Sequence, residues 1–205
     1  MEGHLLIKWC KALFSAGALV AVTAACSSTH IQSKRYAAGI PPFRNVTVVG
    51  VDQNPTVRNP FENEAVAFLQ QRGVVAIASY TRFGFDEVKG NKEKFHQGLL
   101  AAGAESVLFV RVTGKTDFVE GPPASLGSMD MGAVDESAYV AFTTPGGNMD
   151  TAWRLGARLY RVSDGAVIWS AALNTVMKED ADSLAFIRGL AKEIVQQMAK
   201  DKTIP

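Results

Sequence analysis

The run Asn45 to Val51, NVTVVGV, is β-branched at every position except Asn45 and Gly50, with Pro42 upstream and DQNP downstream. Such a run reads as a buried strand. In the segment that follows it, Val57, Phe61, Ala65, Phe68 and Leu69 fall on one helical stripe, and Gly73 supplies a stop. Asn59, Pro60 and Glu62 stand at cap, first-turn and capping-box positions, which predicts regular helix from Pro60. Asn54 and Pro55 offer an earlier start that Pro60 would kink. Val74 to Ser79, VVAIAS, then reads as a second buried strand, so strand, helix and strand form a β-α-β unit whose connection is expected to be right-handed.

A second round follows. Asn91 is placed to cap a helix with Phe95, Leu99 and Ala102 on one face, Gly103 ends it, and Ser106 to Val112 is a third strand. Alternation of this kind implies an open α/β sheet. The pattern then breaks over residues 114–150, an excursion rich in Gly, Pro, Ser, Asp and Met in which only AYVAF could be a short strand. From Thr151 to Val162, apolar Trp153, Leu155, Ala157 and Leu159 alternate with Arg154, Gly156, Arg158 and Tyr160, as in a strand with one wet face. Ser163, Asp164 and Gly165 turn it into a second strand, AVIWSAALNTV, and the two are predicted to be antiparallel neighbours. Asp180 or Asp182 then caps a helix with Leu184, Ile187, Leu190, Ala191, Ile194 and Met198 on one stripe. The predicted fold is thus α/β with a mixed sheet: a βαβαβ half, an antiparallel hairpin and a C-terminal helix, in a two-layer or three-layer sandwich.

The N-terminus is of a different kind. Lys8 and Lys11 precede an apolar segment, Ala12 to Val22, that is too short to span a bilayer stably, and it reads as a secretion signal. It ends in Thr23-Ala24-Ala25-Cys26, which resembles the lipobox of bacterial lipoproteins, with Thr23 where Leu is usual. That resemblance implies cleavage after Ala25 and acylation of Cys26, palmitate included. The alternative is a plain secretory signal cut at Ala-x-Ala, leaving Cys26 as a loop thiol. Residues 1–25 would be removed, residues 26–42 would form a polar tether, and a single domain would occupy 43–205. Cys10 lies in the removed segment, so acylation of Cys26 would leave no disulfide and no free thiol. Several acyl chains hold a protein firmly to a membrane without spanning it. Ser27, being other than Asp, implies by analogy with lipoprotein sorting the periplasmic face of the outer membrane.

Losing Glu2, Lys8 and Lys11 takes the 21 basic and 20 acidic residues of the whole chain to 19 of each. A formally neutral domain argues against nucleic acid as a partner.

The succession VTVVGV, RGVVAIASY, AAGAESVLFVRV, a Gly-rich excursion, ARLYRVSDGAVIWSA and a closing helix resembles small bacterial envelope lipoproteins of the TolB N-terminal, CsgG and LpoB class. The resemblance covers about residues 43–200, and Pro60 departs from the uninterrupted first helix of that class. The class includes synthase activators, secretion pores and assembly factors; the anchor and the lack of chemistry-bearing motifs lead to the expectation of a lipid-anchored, non-catalytic module that binds an envelope protein or peptidoglycan, or copies of itself, with no cofactor assigned.

Chemistry-bearing patterns are sparse. In open α/β sheets ligands bind at the carboxyl ends of parallel strands, which here carry Asp52 after one strand and Tyr80 and Arg82 after the next. These three residues are the candidate site for the alternative function, a periplasmic small-ligand-binding protein or a hydrolase. Asp52 and Asn54 equally suit a turn and a cap. No Gly-rich phosphate loop and no G-x-S-x-G elbow occurs, and His96 has no second ligand at metal-binding spacing, so no catalytic or metal residue is assigned. Met129 and Met131, with Met149, could furnish an adaptable binding surface or could simply fill gaps. Arg154 and Arg158 could recognise carboxylates of a partner or merely solvate a sheet face. Trp153 and Trp169 read as core anchors.

Overall fold

The computed structural model describes residues 29–118, 150–178 and 180–205. One mixed six-stranded sheet organises them: β1 (His30–Arg35), β2 (Asn45–Val51), β3 (Val75–Ala78), β4 (Ser106–Phe118), β5 (Asp150–Arg161) and β6 (Val167–Met177), in the order β1-β6-β5-β4-β2-β3. Strand β2 is parallel to β3 and β4, while β4-β5, β5-β6 and β1-β6 are antiparallel, so β4 is the seam between the βαβαβ half and the hairpin. Helices α1 (Pro55–Gln70) and α4 (Ser183–Lys200) lie on one face. On the other face, α2 (Phe85–Gly90) and α3 (Lys92–Ala101) cover only the half built on β2 and β4. Among the described residues the sandwich has three layers over that half and two over β5, β6 and β1.

Sequence-local signals set most boundaries. Asn91 caps α3 through its side chain, Asp182 caps α4, and Gly165 closes the β5-β6 turn at φ 67°, a conformation that suits glycine. Helix α1 begins at Pro55, not at Pro60: Asn54 accepts from the Thr56 amide at 3.0 Å, and Pro60 lies inside the helix. The extra turn buries Val57 and Arg58, which offsets the backbone hydrogen bond that Pro60 cannot donate. Helix α2, in the stretch between the second strand and Asn91, was not foreseen.

Residues 30–35, read from sequence as part of a tether, are an edge strand. They pair with β6 from His30↔Asn174 to Arg35↔Trp169. An edge strand with one covered side needs little apolar character: Ile31, Ser33 and Arg35 turn toward α4 while His30, Gln32 and Lys34 point out. Nε2 of Gln197 donates to Oγ of Ser33 at 2.8 Å, and the Tyr36 amide donates to Ile168 O at 2.8 Å. The flanking strands also reach further into the stretch expected to be irregular, since β4 runs to Phe118 and β5 begins at Asp150. AYVAF, Met129, Met131, Met149 and the whole of residues 1–28, Cys26 included, lie outside the described residues.

Two apolar clusters hold the layers. Between the sheet and α1 and α4 are Phe61, Leu69, Leu159, Leu173, Ile194 and the fully buried Trp153 and Trp169. Under α3, an edge-to-face series runs from Phe83 to Phe95 at 4.9 Å, on to Phe109 at 6.0 Å and to Tyr160 at 5.7 Å.

Candidate functional site

At the carboxyl ends of β2 and β3 the structure places a buried polar network. Oε1 of Glu62 accepts from the Gly50 amide at 3.0 Å, from Nε of Arg58 at 2.9 Å and from Oγ of Ser79 at 2.9 Å, and Oε2 accepts from the Tyr80 amide at 2.9 Å. Nη2 of Arg58 donates to Oγ of Ser79 at 2.9 Å, and its guanidinium faces the Phe85 ring at 5.4 Å. Glu62, Arg58 and Ser79 are all buried. Every oxygen of the carboxylate is satisfied, so the network fastens α1 to two strand ends and leaves no poised nucleophile. The capping-box role expected for Glu62 is therefore not the one it fills. Its spacing to Arg58, i and i+4, was visible in the sequence beside the Val57–Phe61 stripe.

The three residues expected to converge on a ligand at these strand ends do not do so. Asp52 is buried and accepts from the Asn54 amide at 2.7 Å, a turn role. The Tyr80 hydroxyl donates to Oδ1 of Asn63 at 2.9 Å, and Arg82 is exposed. A shallow cleft of about 20 Å³, open to solvent, lies at the end of β2 beside Val110–Val112 of β4. Its lining is mainly apolar, with Val57, Phe61, Leu155 and Leu190, and includes Asp52 but neither Tyr80 nor Arg82. His96 is half-buried, and its Nε2 donates to Val162 O at 2.6 Å. Among the described residues no group of His, Cys, Asp and Glu could hold a metal ion, and no helix is long and apolar enough to cross a membrane.

Arg154 and Arg158, by contrast, fall on one surface with residues the sequence did not connect to them. Cross-strand partners share a face, so the pairings define three successive rows. One contains His30, Asn174, Arg154 and Gly114; the next Gln32, Ala172, Gly156 and Arg111; the third Lys34, Ser170, Arg158 and Phe109. The middle of this grid is small or polar, and cations stand around it. No carboxylate occurs in the three rows. Gly156 has a positional reason: a Cβ there would stand 3.3 Å from Cγ2 of Thr113, the residue skipped in the β4-β5 pairing between Val112 and Gly114. The Tyr36 hydroxyl meets Oγ of Ser170 at 3.1 Å, and Nζ of Lys34 lies 5.0 Å from the Tyr36 ring centre. Oδ1 of Asn174 is buried and takes no hydrogen bond from a described residue. Below the grid, Nζ of Lys178 pairs with Oδ2 of Asp150 at 2.6 Å.

No family model matches the chain, and no curated protein matches it in sequence. Solved structures do. The PelC dodecamer from Paraburkholderia phytofirmans is similar at 15% identity with a TM-score of 0.50, over 82% of this chain and 96% of that one. Lipoprotein GNA1162 from Neisseria meningitidis matches at 14% identity and a TM-score of 0.43, over 76% of this chain and 97% of that one. The LpoB C-terminal domain from Salmonella enterica matches at 14% identity and a TM-score of 0.34, over 69% and 87%. At such identities, the first of these likenesses speaks to a shared fold and to nothing finer.

Proposed function

We propose that this chain is a lipid-anchored, non-catalytic module of a bacterial cell envelope, acting by surface contact with another envelope component. The observation that carries the reading is the half-open sheet face, where Arg111, Arg154 and Arg158 of two central strands meet Lys34 of an edge strand with no described helix above them. A sheet face normally gains a covering layer, and a polar, cationic one with no described helix over it is suited to binding an anionic partner. The lipobox-like Thr23-Ala24-Ala25-Cys26 supports attachment through Cys26, and Ser27 supports the outer membrane as the address. Residues 119–149, with Met129 and Met131, are the second part of the proposed contact surface.

Assembly with further copies is part of the same reading. It draws on the fold shared with PelC, which is described as a dodecamer, and on the outer edge of β1, which no described strand pairs. A ligand site or hydrolase built on Asp52, Tyr80 and Arg82 has less support, because Asp52 is occupied in a turn and the strand-end cleft is apolar.

The test is capture from solubilised envelopes by the mature chain and by Arg154→Glu/Arg158→Glu, with mass spectrometry of the processed N-terminus beside it. Loss of captured components in the variant supports the contact surface; equal recovery removes it. An unacylated Cys26 removes the anchor. Light scattering on the Cys26→Ala chain reads assembly directly.

A further inference from the structure

We propose that the cationic half-face docks on anionic phospholipid headgroups of the bilayer that holds the anchor, an inference that rests on the lipid-anchor reading above. Chain length is the first argument. Four residue steps separate Cys26 from His30, the first residue of β1, a span of at most about 14 Å when fully extended. Acyl chains on Cys26 would therefore bring the β1 edge to the membrane surface, not suspend the domain on a long tether.

What that edge presents is the second argument. His30 and Lys34 are exposed on β1, and Arg154 lies two strands away from His30 in the same row, about 10 Å across the sheet. Arg111 continues the positive charge into the adjacent row. The α2-α3 layer stands on the β2 and β4 side, so approach from β1 is unobstructed by a described helix.

Affinity need not be high. Anchored binding is intramolecular, with an effective concentration in the millimolar range, and each Lys or Arg near an anionic surface contributes about a fivefold gain. The docked pose would turn the α1-α4 face away from the bilayer, free for other contacts.

The experiment uses the full mature chain carrying Cys26→Ala, so that no acyl group contributes. Its cosedimentation is measured with phosphatidylethanolamine vesicles containing phosphatidylglycerol and with vesicles of phosphatidylethanolamine and phosphatidylcholine alone. We expect binding to the anionic vesicles only, weakened by salt, and lowered about thirtyfold by Lys34→Ala/Arg154→Ala. Lys192→Ala/Lys200→Ala removes the same charge from α4 on the opposite face and should leave binding within about twofold, with cooperative melting confirming that both variants fold. Equal binding to the two vesicle types, or equal losses in the two double variants, overturns the proposal. Failure of the anchor reading shows separately, as an unacylated mass for the wild-type chain, and leaves the vesicle comparison interpretable.

Discussion

Oε1 of Glu62 accepts a hydrogen bond from Nε of Arg58 at 2.9 Å, one helical turn away, and both side chains are sealed from solvent. Because Glu62 also serves the amides of Gly50 and Tyr80, Glu62→Ala strands three kinds of donor at once and should cost about 3–5 kcal/mol in urea denaturation. Arg58→Leu/Glu62→Leu should recover only part of that loss. It removes the unpaired guanidinium but leaves the two amides without an acceptor. A double variant as unstable as Glu62→Ala alone would mean that the stranded Arg58 guanidinium costs nothing.

A second tie fixes the end of α4. Nε1 of Trp169 donates to Oδ2 of Asp201 at 2.7 Å. Burial pushes the Asp201 carboxyl up, but hydrogen bonds from Ser33, Trp169 and Gln197, with Lys200 beside it, together hold it below its ordinary value of 3.8. A carboxyl lowered in the folded state stabilises the fold above that ordinary value, and the contribution is lost as pH falls through the lowered one. Melting temperature should drop on acidification below about pH 4, and Asp201→Asn should flatten that drop. Asp164, lowered to about 2 by hydrogen bonds from Arg161 and the Ala166 amide, acts in the same direction. It is exposed, so added salt should weaken its share.

Two glycines in helices should respond oppositely to the same change. A Cβ at Gly98 in α3 would stand 2.5 Å from Cε1 of Phe83, whose ring is held edge-on against Phe95. Gly98→Ala should therefore lose about 1–3 kcal/mol despite the better helix propensity of alanine. At Gly189 in α4 nothing lies within 4 Å of the added atom, and Gly189→Ala should gain about 0.5–1 kcal/mol. Thermal melts of the two variants check both signs.

The start of the folded unit can be tested by truncation. A chain beginning at Phe43 lacks β1 and, with it, Ile31, Ala37 and Ile40, which pack on the main cluster. It should be less stable than a chain beginning at Thr29 by about 2 kcal/mol or more, and the β6 amides should exchange faster. Equal stability of the two chains would show that β1 adds nothing to the fold.

What could be read from residues alone divides by range. The turn at Gly165, the caps at Asn91 and Asp182 and the buried run at Asn45–Val51 all act through near neighbours, and each was legible. Strand β1 was not, because His30–Arg35 is extended only by virtue of β6, far along the chain. Position at the carboxyl ends of parallel strands drew attention to Tyr80. It is the Tyr80 amide, however, that joins the buried network there, while its hydroxyl turns outward to Asn63. Arg154 and Arg158 could be put on a wet face by alternation, but Lys34 and Arg111 join them only through register between strands. Side-chain alternation within one strand says nothing about register.

The hydroxyls of Thr29 and Thr175 meet at 2.9 Å although 146 residues separate them. A chain delivered N-terminus first must hold its opening strand unpaired until nearly all the rest has arrived. Closure of the β1 edge is therefore a late event in folding, and until it happens β6 is open to pairing with the wrong neighbour, which makes the interval before completion the time when a chaperone would matter most.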